Sequence, residues 1–340
     1  MSDTVLLTGI SGFLGGHVAL ALLRAGFRVR GSVRSIAKAG KVRDTLSREA
    51  VETGRLEFVE LDLTSDRGWP EAVAGCRYVQ HVASPFVTSM PKDKNELIRP
   101  AVEGTARALS FALAGGVERI VLTSSAVAVN YGHPKARTKQ FADADWTVLG
   151  RPDVNAYIES KTLAERKAWE IAEQAKRRED LVAINPGILL GPLLDDDPGT
   201  SGAIVQRILT GSLRAAPRIA FPVADVRDVA AVHVAAMTSP EAGGHRFLVT
   251  ADSLSIKQIG DELRAVFPAY RFKLPWFEAP SWLVRMLAPF DADIRGNIEE
   301  LDRTRHFDST PARQLLGRDL MPAGQAAREM AQSLIDRGLA

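Results

Sequence analysis

The stretch Val5-Leu6-Leu7-Thr8-Gly9-Ile10-Ser11-Gly12-Phe13-Leu14-Gly15 decides how this chain is read. An apolar run ends in three glycines spaced G-x-x-G-x-x-G, and an Ala- and Leu-rich helical pattern follows at once through Leu23. The spacing predicts a strand, a tight turn and a helix N-terminus. In such a unit the first glycine makes the turn and the second lets backbone approach a pyrophosphate. The third lets helix pack on strand, while the free N–H groups and dipole of the helix face the phosphate charge. A βα turn that binds nothing can carry the same glycines, so the next segment matters.

That segment predicts a second strand, Arg28 to Val33, ending roughly twenty residues after the glycines, where such units meet the adenosine ribose. An Asp or Glu there would accept from a free 2′-hydroxyl. No acid occurs between Arg24 and Asp44, whereas Arg28, Arg30, Arg34, Lys38, Lys41 and Arg43 do. A carboxylate repels a 2′-phosphate; a guanidinium can grip it with two hydrogen bonds. Arg34, just past the strand, and Lys41, about two helical turns on, are the candidate phosphate ligands. NADP(H) is therefore the expected cofactor. A solvated basic helix face accounts for Lys38 and Arg43.

With 340 residues, 46% of them hydrophobic and 25% charged, the chain can bury one large α/β domain and a smaller lobe. A net charge of +2 without a block of like charge gives no reason to expect nucleic acid or an anionic membrane as partner. One cysteine, Cys76, excludes an internal disulfide framework and argues against a metal cluster. It reads as a small buried apolar residue. The N-terminus runs straight into a strand with no signal-peptide pattern, and no apolar run reaches membrane-spanning length, so a cytoplasmic protein is expected.

Strands and helices alternate as in a parallel sheet. Strands are expected at Val5–Thr8, Arg28–Val33, Leu56–Leu61, Tyr78–Ala83, Arg119–Thr123, Leu181–Ile184 and His245–Val249. Helices are expected at Phe13–Ala25, after Ser35, at Ser65–Ala74, Asn95–Ala114, Asp153–Arg178 and Val226–Met237. From Asn185 the rhythm breaks at a series of prolines, and Asp195-Asp196-Asp197 reads as a solvated loop. The expected fold is α/β, a Rossmann-type doubly wound parallel sheet with a smaller, mainly helical C-terminal lobe. The expected division is an NADP-binding domain over 1–184 plus 222–250 and a substrate lobe over 185–221 plus 251–340.

Tyr157-Ile158-Glu159-Ser160-Lys161 places a phenol and an ammonium four apart, on one helix face. An ammonium beside a phenol favours phenolate and is expected to pull the Tyr157 pKa down toward the range of an acid/base catalyst. An exposed helix pair would look the same. The position decides, because this helix should run beside the C-terminal edge of the sheet, where ligands bind in such folds. Thr123-Ser124-Ser125 closes a buried strand at that edge, and a hydroxyl there can hold a substrate carbonyl oxygen while Tyr157 supplies the proton.

Taken together, the chain resembles the extended short-chain dehydrogenases/reductases. Within them it is similar to the branch of dihydroflavonol 4-reductase, cinnamoyl-CoA reductase and the microbial aldehyde and methylglyoxal reductases. The resemblance rests on TGISGFLG (Thr8–Gly15), VRS (Val33–Ser35), LDL (Leu61–Leu63) and HVASPF (His81–Phe86). It continues through LTSSAVAVN (Leu122–Asn130), YIESKTLAE (Tyr157–Glu165), INPGILLGP (Ile184–Pro192) and DVRDVA (Asp225–Ala230). It implies a catalytic set of Ser125, Tyr157 and Lys161. For the cofactor it implies Gly9, Ser11, Gly12, Phe13 and Leu14 at the pyrophosphate, and Arg34 and Lys41 at the 2′-phosphate. Asp62 and Leu63 would flank the adenine, and Val82, Ala83 and Ser84 would pass beneath the nicotinamide ribose. Thr123, Tyr157, Lys161, Pro186, Gly187, Ile188 and Leu189 would meet the nicotinamide end, with Ser201 near the phosphates. Phe86, Asn130 and Tyr131 would touch substrate.

The implied reaction is reversible NADPH-dependent reduction of an aldehyde or ketone, with no metal, by a monomer or homodimer acting on a small-molecule carbonyl. Two features depart from the flavonoid enzymes. Val127-Ala128 alters the volume beside the substrate, and Arg218–Val223 lacks a polar glutamine, with Phe221-Pro222 near its place. With Phe86, Val87 and Met90 they suggest a smaller, less polar carbonyl. A hydroxysteroid dehydrogenase, a nucleotide-sugar epimerase and a non-enzymatic NADP(H) sensor are the alternatives. The missing acid after the second strand argues against the epimerase, and the complete Ser125–Tyr157–Lys161 set argues against the sensor.

Overall fold

The computed structural model describes residues 3–85, 93–290 and 298–340. Its first half alternates β1 (Thr4–Thr8), α1 (Phe13–Arg24), β2 (Arg28–Val33), α2 (Ala39–Ser47), β3 (Leu56–Glu60), α3 (Trp69–Val73), β4 (Tyr78–His81), α4 (Asn95–Ala114), β5 (Arg119–Thr123), α5 (Ala156–Gln174) and β6 (Leu181–Pro186). Then come β7 (Ile188–Leu190), α6 (Gly199–Leu209), β8 (Ala215–Pro217), β9 (Ala220–Asp225), α7 (Val226–Thr238), β10 (Arg246–Val249) and β11 (Asp252–Ser255). The chain closes with α8 (Ile256–Val266), β12 (Phe277–Ala279), α9 (Ser281–Leu287), α10 (Thr310–Leu316) and α11 (Ala323–Asp336).

Seven strands form one parallel sheet in the order β10-β6-β5-β4-β1-β2-β3. The central strands β1, β5 and β6 are largely apolar because both faces of the sheet are covered. Val5, Leu7, Val182 and Ile184 pack with Val18, Leu22, Val229 and Val232 of α1 and α7. Leu6, Val79, Ile120 and Leu122 face the other way, against Ala108 and Leu109 of α4 and Ala168 and Trp169 of α5. This is the Rossmann-type doubly wound fold. The strand order reverses between β1 and β4, and a crevice outside the C-terminal ends of such strands is where ligands bind. The loops after β1, β4, β5 and β6 all reach that edge.

A second core gathers Leu190, Val205, Ile208, Ile259, Leu263, Met330 and Leu334 from β7, α6, α8 and α11. Two small sheets border it: β11-β9-β7, antiparallel then parallel, and the parallel pair β12-β8. The strands β7, β8, β9, β11 and β12 were not anticipated. Three of them have only three residues, and Pro217 and Pro222 lie in β8 and β9, so no alternation is long enough to show. Ala312 and Leu320 pack back into the first core, against the α1 and α7 side.

Five features bear on the sequence reading. Cys76 is buried as expected. Arg43 is not part of a solvated face: it donates to the carbonyls of Thr53 and Leu56 at 2.8 and 2.9 Å and ties α2 to the start of β3. Arg30 likewise donates to the carbonyls of Ala72 and Ala74 behind α3. The Asp195–Asp197 stretch is anchored rather than loose, because Asp195 pairs with Lys41 and Asp196 with Arg337. Among the described residues no helix is long and apolar enough to cross a membrane.

Candidate active site

Gly9 opens the turn with φ of +73°, a conformation glycine adopts without strain. A Cβ there would stand 2.8 Å from the backbone of Ala83, so the loops after β1 and β4 are in contact. Thr8 Oγ1 secures this contact by accepting from Ala83 N at 3.1 Å, and it lies 2.9 Å from His81 Nδ1. A Cβ at Gly15 would meet the carbonyl of Gly9 at 2.0 Å, which is the close helix–strand approach inferred from the spacing. Gly12 differs. Its nearest neighbour would be 3.5 Å from an added Cβ and the residue is exposed, so its backbone is open to an incoming group. Ser11 is exposed beside it, Phe13 is half-buried, and the Leu14 side chain belongs to the core. This cradle, with no acid in the first turn of α1, fits a dinucleotide pyrophosphate.

Arg34 is exposed just past β2 and lies close enough to Asp62 to lower its carboxyl pKa, behind the larger effect of two bonds from Thr64. Those bonds, from Thr64 N and Oγ1, are 2.7 Å each. Leu63 is half-buried against Gly104 of α4. Lys41 is turned to Asp195, 3.4 Å away. Pro186 is buried at the end of β6, and Gly187 must be glycine because a Cβ would lie 2.2 Å from the carbonyl of Pro222. Ile188 and Leu189 are half-buried in β7, and Leu189 N donates to Ser201 Oγ at 3.3 Å. The expected Pro186–Leu189 and Ser201 contacts thus come from one corner.

Ser125 stands two residues past the end of β5, and its hydroxyl accepts from Val127 N at 3.3 Å to open a short turn. Tyr157 is the second residue of α5, whose N-cap Asn155 accepts from Ile158 N at 3.0 Å. The Tyr157 phenol lies close enough to the Ser125 side chain for the serine to lower its pKa. One turn on, Lys161 Nζ donates to Ser84 Oγ at 3.0 Å. The structure therefore unites the trio with the Val82–Ser84 loop, whose three residues are half-buried.

The electrostatics correct one expectation. Burial pushes the Tyr157 phenol up, and the neighbouring Ser125 pulls the other way; Lys161 does not lower it. The ring is 39% exposed, yet its hydroxyl end is surrounded by protein, so the direction set by burial is the sound one. The Lys161 ammonium is engaged by Ser84 and is itself pushed down to about 8 by burial, with Glu165 opposing.

Two buried groups beside the site, His233 and Glu165, were missed. His233 of α7 lies 3.0 Å from Thr123 Oγ1 and 2.7 Å from Gln80 Oε1. Gln80 takes the Nδ1 proton, so the other ring nitrogen accepts from Thr123. Burial holds this ring neutral, its pKa down at about 3. Glu165, inside the YIESKTLAE stretch, is buried and accepts from Ser124, Asn185, Trp169 and Arg246. The signal available was its spacing: four after Lys161, on the same helix face. Asn130 is buried with Oδ1 unpartnered. The Tyr131 ring lies under the Arg305 guanidinium, with its hydroxyl toward Glu300. Phe86, Val87 and Met90 lie outside the described residues.

The sequence profile of the NAD dependent epimerase/dehydratase family matches residues 5–250. The chain belongs to that family. Among relatives, it is 33% identical over 307 residues to the ketoreductase azaE of Aspergillus niger, covering 86% of this chain and 90% of that protein. It is 33% identical over 257 residues to the cinnamoyl-CoA reductase CAD2 of Medicago truncatula, covering 73% and 76% respectively. Its fold is similar to the crystal structure of the yeast methylglyoxal/isovaleraldehyde reductase Gre2 complexed with NADPH. There the TM-score is 0.81 and the identity 25%, over 99% of this chain and 100% of that one. This member of the family is an extended short-chain dehydrogenase/reductase and an NADP-dependent oxidoreductase.

Proposed function

We propose that this protein reduces an aldehyde or ketone to the alcohol, with Tyr157 as proton donor. The observation that carries the reading is the juxtaposition of the Ser125 side chain and the Tyr157 phenol at the sheet's C-terminal edge, with Lys161 one turn further along the same helix face. When bound, NADPH supplies a hydride to the carbonyl carbon. Tyr157 releases a proton to the carbonyl oxygen, and its raised pKa keeps that proton in place at neutral pH. Ser125 orients and polarises the same oxygen. Lys161, held beside Ser84, is placed to meet the nicotinamide ribose hydroxyls.

Around this centre we assign Gly9, Ser11, Gly12, Phe13 and Leu14 to the pyrophosphate through their backbone, and Arg34 and Lys41 to the 2′-phosphate. Asp62 and Leu63 go to the adenine, Val82–Ser84, Thr123 and Pro186–Leu189 to the nicotinamide half, and Ser201 to the neighbourhood of the phosphates. Asn130 is assigned to substrate because its buried amide oxygen lacks a partner. Residues 1–184 plus 222–250 would bind cofactor, and 185–221 plus 251–340 would close over the carbonyl. The relatives named as a ketoreductase and a cinnamoyl-CoA reductase, and Gre2 with its small aldehydes, support this substrate class. A single buried, unpaired cysteine suits the cytoplasm.

The test is NADPH absorbance against a panel of aliphatic and aryl aldehydes, α-diketones, aryl ketones and β-ketoesters, ranked by kcat/KM. Turnover of small aldehydes or diketones is expected. NADPH binding without consumption in the presence of every carbonyl would overturn the reading in favour of a sensor.

A further inference from the structure

A group of buried side chains stands behind the catalytic trio, joined by hydrogen bonds to the Glu165 carboxylate. Glu165 is 1% exposed, one helical turn beyond Lys161 on α5. Its Oε2 accepts from Ser124 Oγ at 2.5 Å and from Asn185 Nδ2 at 2.8 Å. Its Oε1 accepts from Arg246 Nε at 2.6 Å and from Trp169 Nε1 at 3.2 Å. Asn185 Nδ2 also donates to the carbonyl of Ser125 at 3.1 Å. Arg246 in turn donates to the carbonyls of Asp143 and Asp145 and lies over the Trp146 ring. A buried carboxylate is costly unless its lone pairs are filled, and here they are filled by groups from β5, β6, β10 and α5.

We propose that Glu165 is a positioning residue of the reductase site: directly through Ser124, and through Asn185, it fixes where Ser125 presents its hydroxyl, and it sets a negative charge one turn from Lys161. The inference rests on the reductase reading above. The two serines divide the work. Ser124 turns inward to the carboxylate, and backbone alternation then turns Ser125 outward to Tyr157. Asn185, the polar residue in an otherwise apolar β6, ties the same backbone from the neighbouring strand. The charge acts on Lys161, which donates to Ser84 and lies near enough to the neutral His81 of β4 to lower its pKa. Glu165 opposes the burial that drives Lys161 toward its neutral form.

Two variants test this. Ser124→Ala removes one bond and leaves the Glu165–Arg246 pair intact, so it should fold. Its kcat is expected to fall roughly tenfold, as a slightly misplaced Ser125 would dictate, with the NADPH Kd unchanged. Glu165→Gln should lower the Lys161 pKa, moving the alkaline limb of the pH–rate profile to lower pH. The same shift is read without turnover from the 13Cε NMR titration of Lys161, assigned by its loss in Lys161→Met. If Glu165→Gln does not fold, the Ser124→Ala kinetics decide. A wild-type kcat in folded Ser124→Ala, or an unmoved Lys161 titration in folded Glu165→Gln, overturns the proposal. The wild-type enzyme against the carbonyl panel is the parallel control: no turnover there sinks the reductase reading, while the NMR titration still judges Glu165.

Discussion

Lys41 on α2 and Asp195 in the loop after β7 stand 3.4 Å apart, a bridge between the first core and the segment that leads into the second. Arg34, by contrast, is exposed, with Asp62 near it. The two basic residues expected at a 2′-phosphate are therefore not equivalent. One is already neutralised and the other is open.

Arg34→Ala is expected to raise the KM for NADPH at least tenfold and leave that for NADH nearly unchanged. A charge-assisted pair of bonds is worth about 1.5–3 kcal/mol each, and every ~1.4 kcal/mol is tenfold. Lys41→Ala should cost less, because the lysine must leave Asp195 to serve the phosphate. Asp195→Asn should tighten NADPH by a few-fold. Steady-state kinetics with both cofactors decide; equal losses for NADPH and NADH in Arg34→Ala would show that Arg34 reads no phosphate.

The glycines of the first turn should separate by readout. Gly15→Ala drives a methyl into the Gly9 carbonyl and should lower Tm markedly. Gly12→Ala meets nothing closer than 3.5 Å, so Tm should hold while the NADPH Kd rises sharply. Thermal melts paired with cofactor titration check both. A Gly12→Ala protein that binds NADPH normally would remove the pyrophosphate from this turn.

How much of this was legible follows from where the signals lie along the chain. The limits of β2, β5 and α4 stand as read, because long periodic runs meet turn residues at their ends. The trio was legible because Tyr157 and Lys161 share one turn of one helix and Ser125 ends a buried strand. The Glu165 cluster was not, since its partners arrive from positions 124, 185 and 246 and no local pattern links them. The Tyr157 pKa was misjudged for a related reason: spacing shows that Lys161 is near, but not that Ser84 takes its ammonium.

Stability should fall as pH drops below neutral. Burial pushes His17 and His81 down to about 4 and His233 to about 3, from an unfolded value of 6.5. Between those values the unfolded chain binds protons that the folded chain refuses, so stability rises with pH there and is lost as pH falls from about 6.5 toward 4. Each unit of separation is worth about 1.4 kcal/mol per group. Asp143 works in the opposite direction, since burial raises it to about 6 and its protonation favours the fold. Three histidines against one carboxyl leave a net loss. Urea midpoints measured from pH 7 down to pH 5 should decline steadily, and a flat or rising series would mean that these rings are not buried neutral.

Tyr157→Phe should abolish turnover while leaving NADPH binding almost intact. The ring can pack as before, but the hydroxyl beside Ser125 is gone, and with it the proton donor. General acid catalysis of this kind is typically worth about 10²–10⁴ in rate. Lys161→Ala should behave differently, weakening cofactor binding as well as kcat, because it removes the ammonium held at Ser84. Ser125→Ala should lower kcat and leave the cofactor Kd alone. The decisive comparison is single-turnover hydride transfer by stopped flow, at saturating NADPH and carbonyl, for wild type and Tyr157→Phe. A near-normal rate in Tyr157→Phe would mean that another group protonates the carbonyl oxygen. Since burial holds the Tyr157 proton firmly at neutral pH, the wild-type reductive rate should also stay level from pH 6 to 7.5, with no limb arising from the phenol in that range.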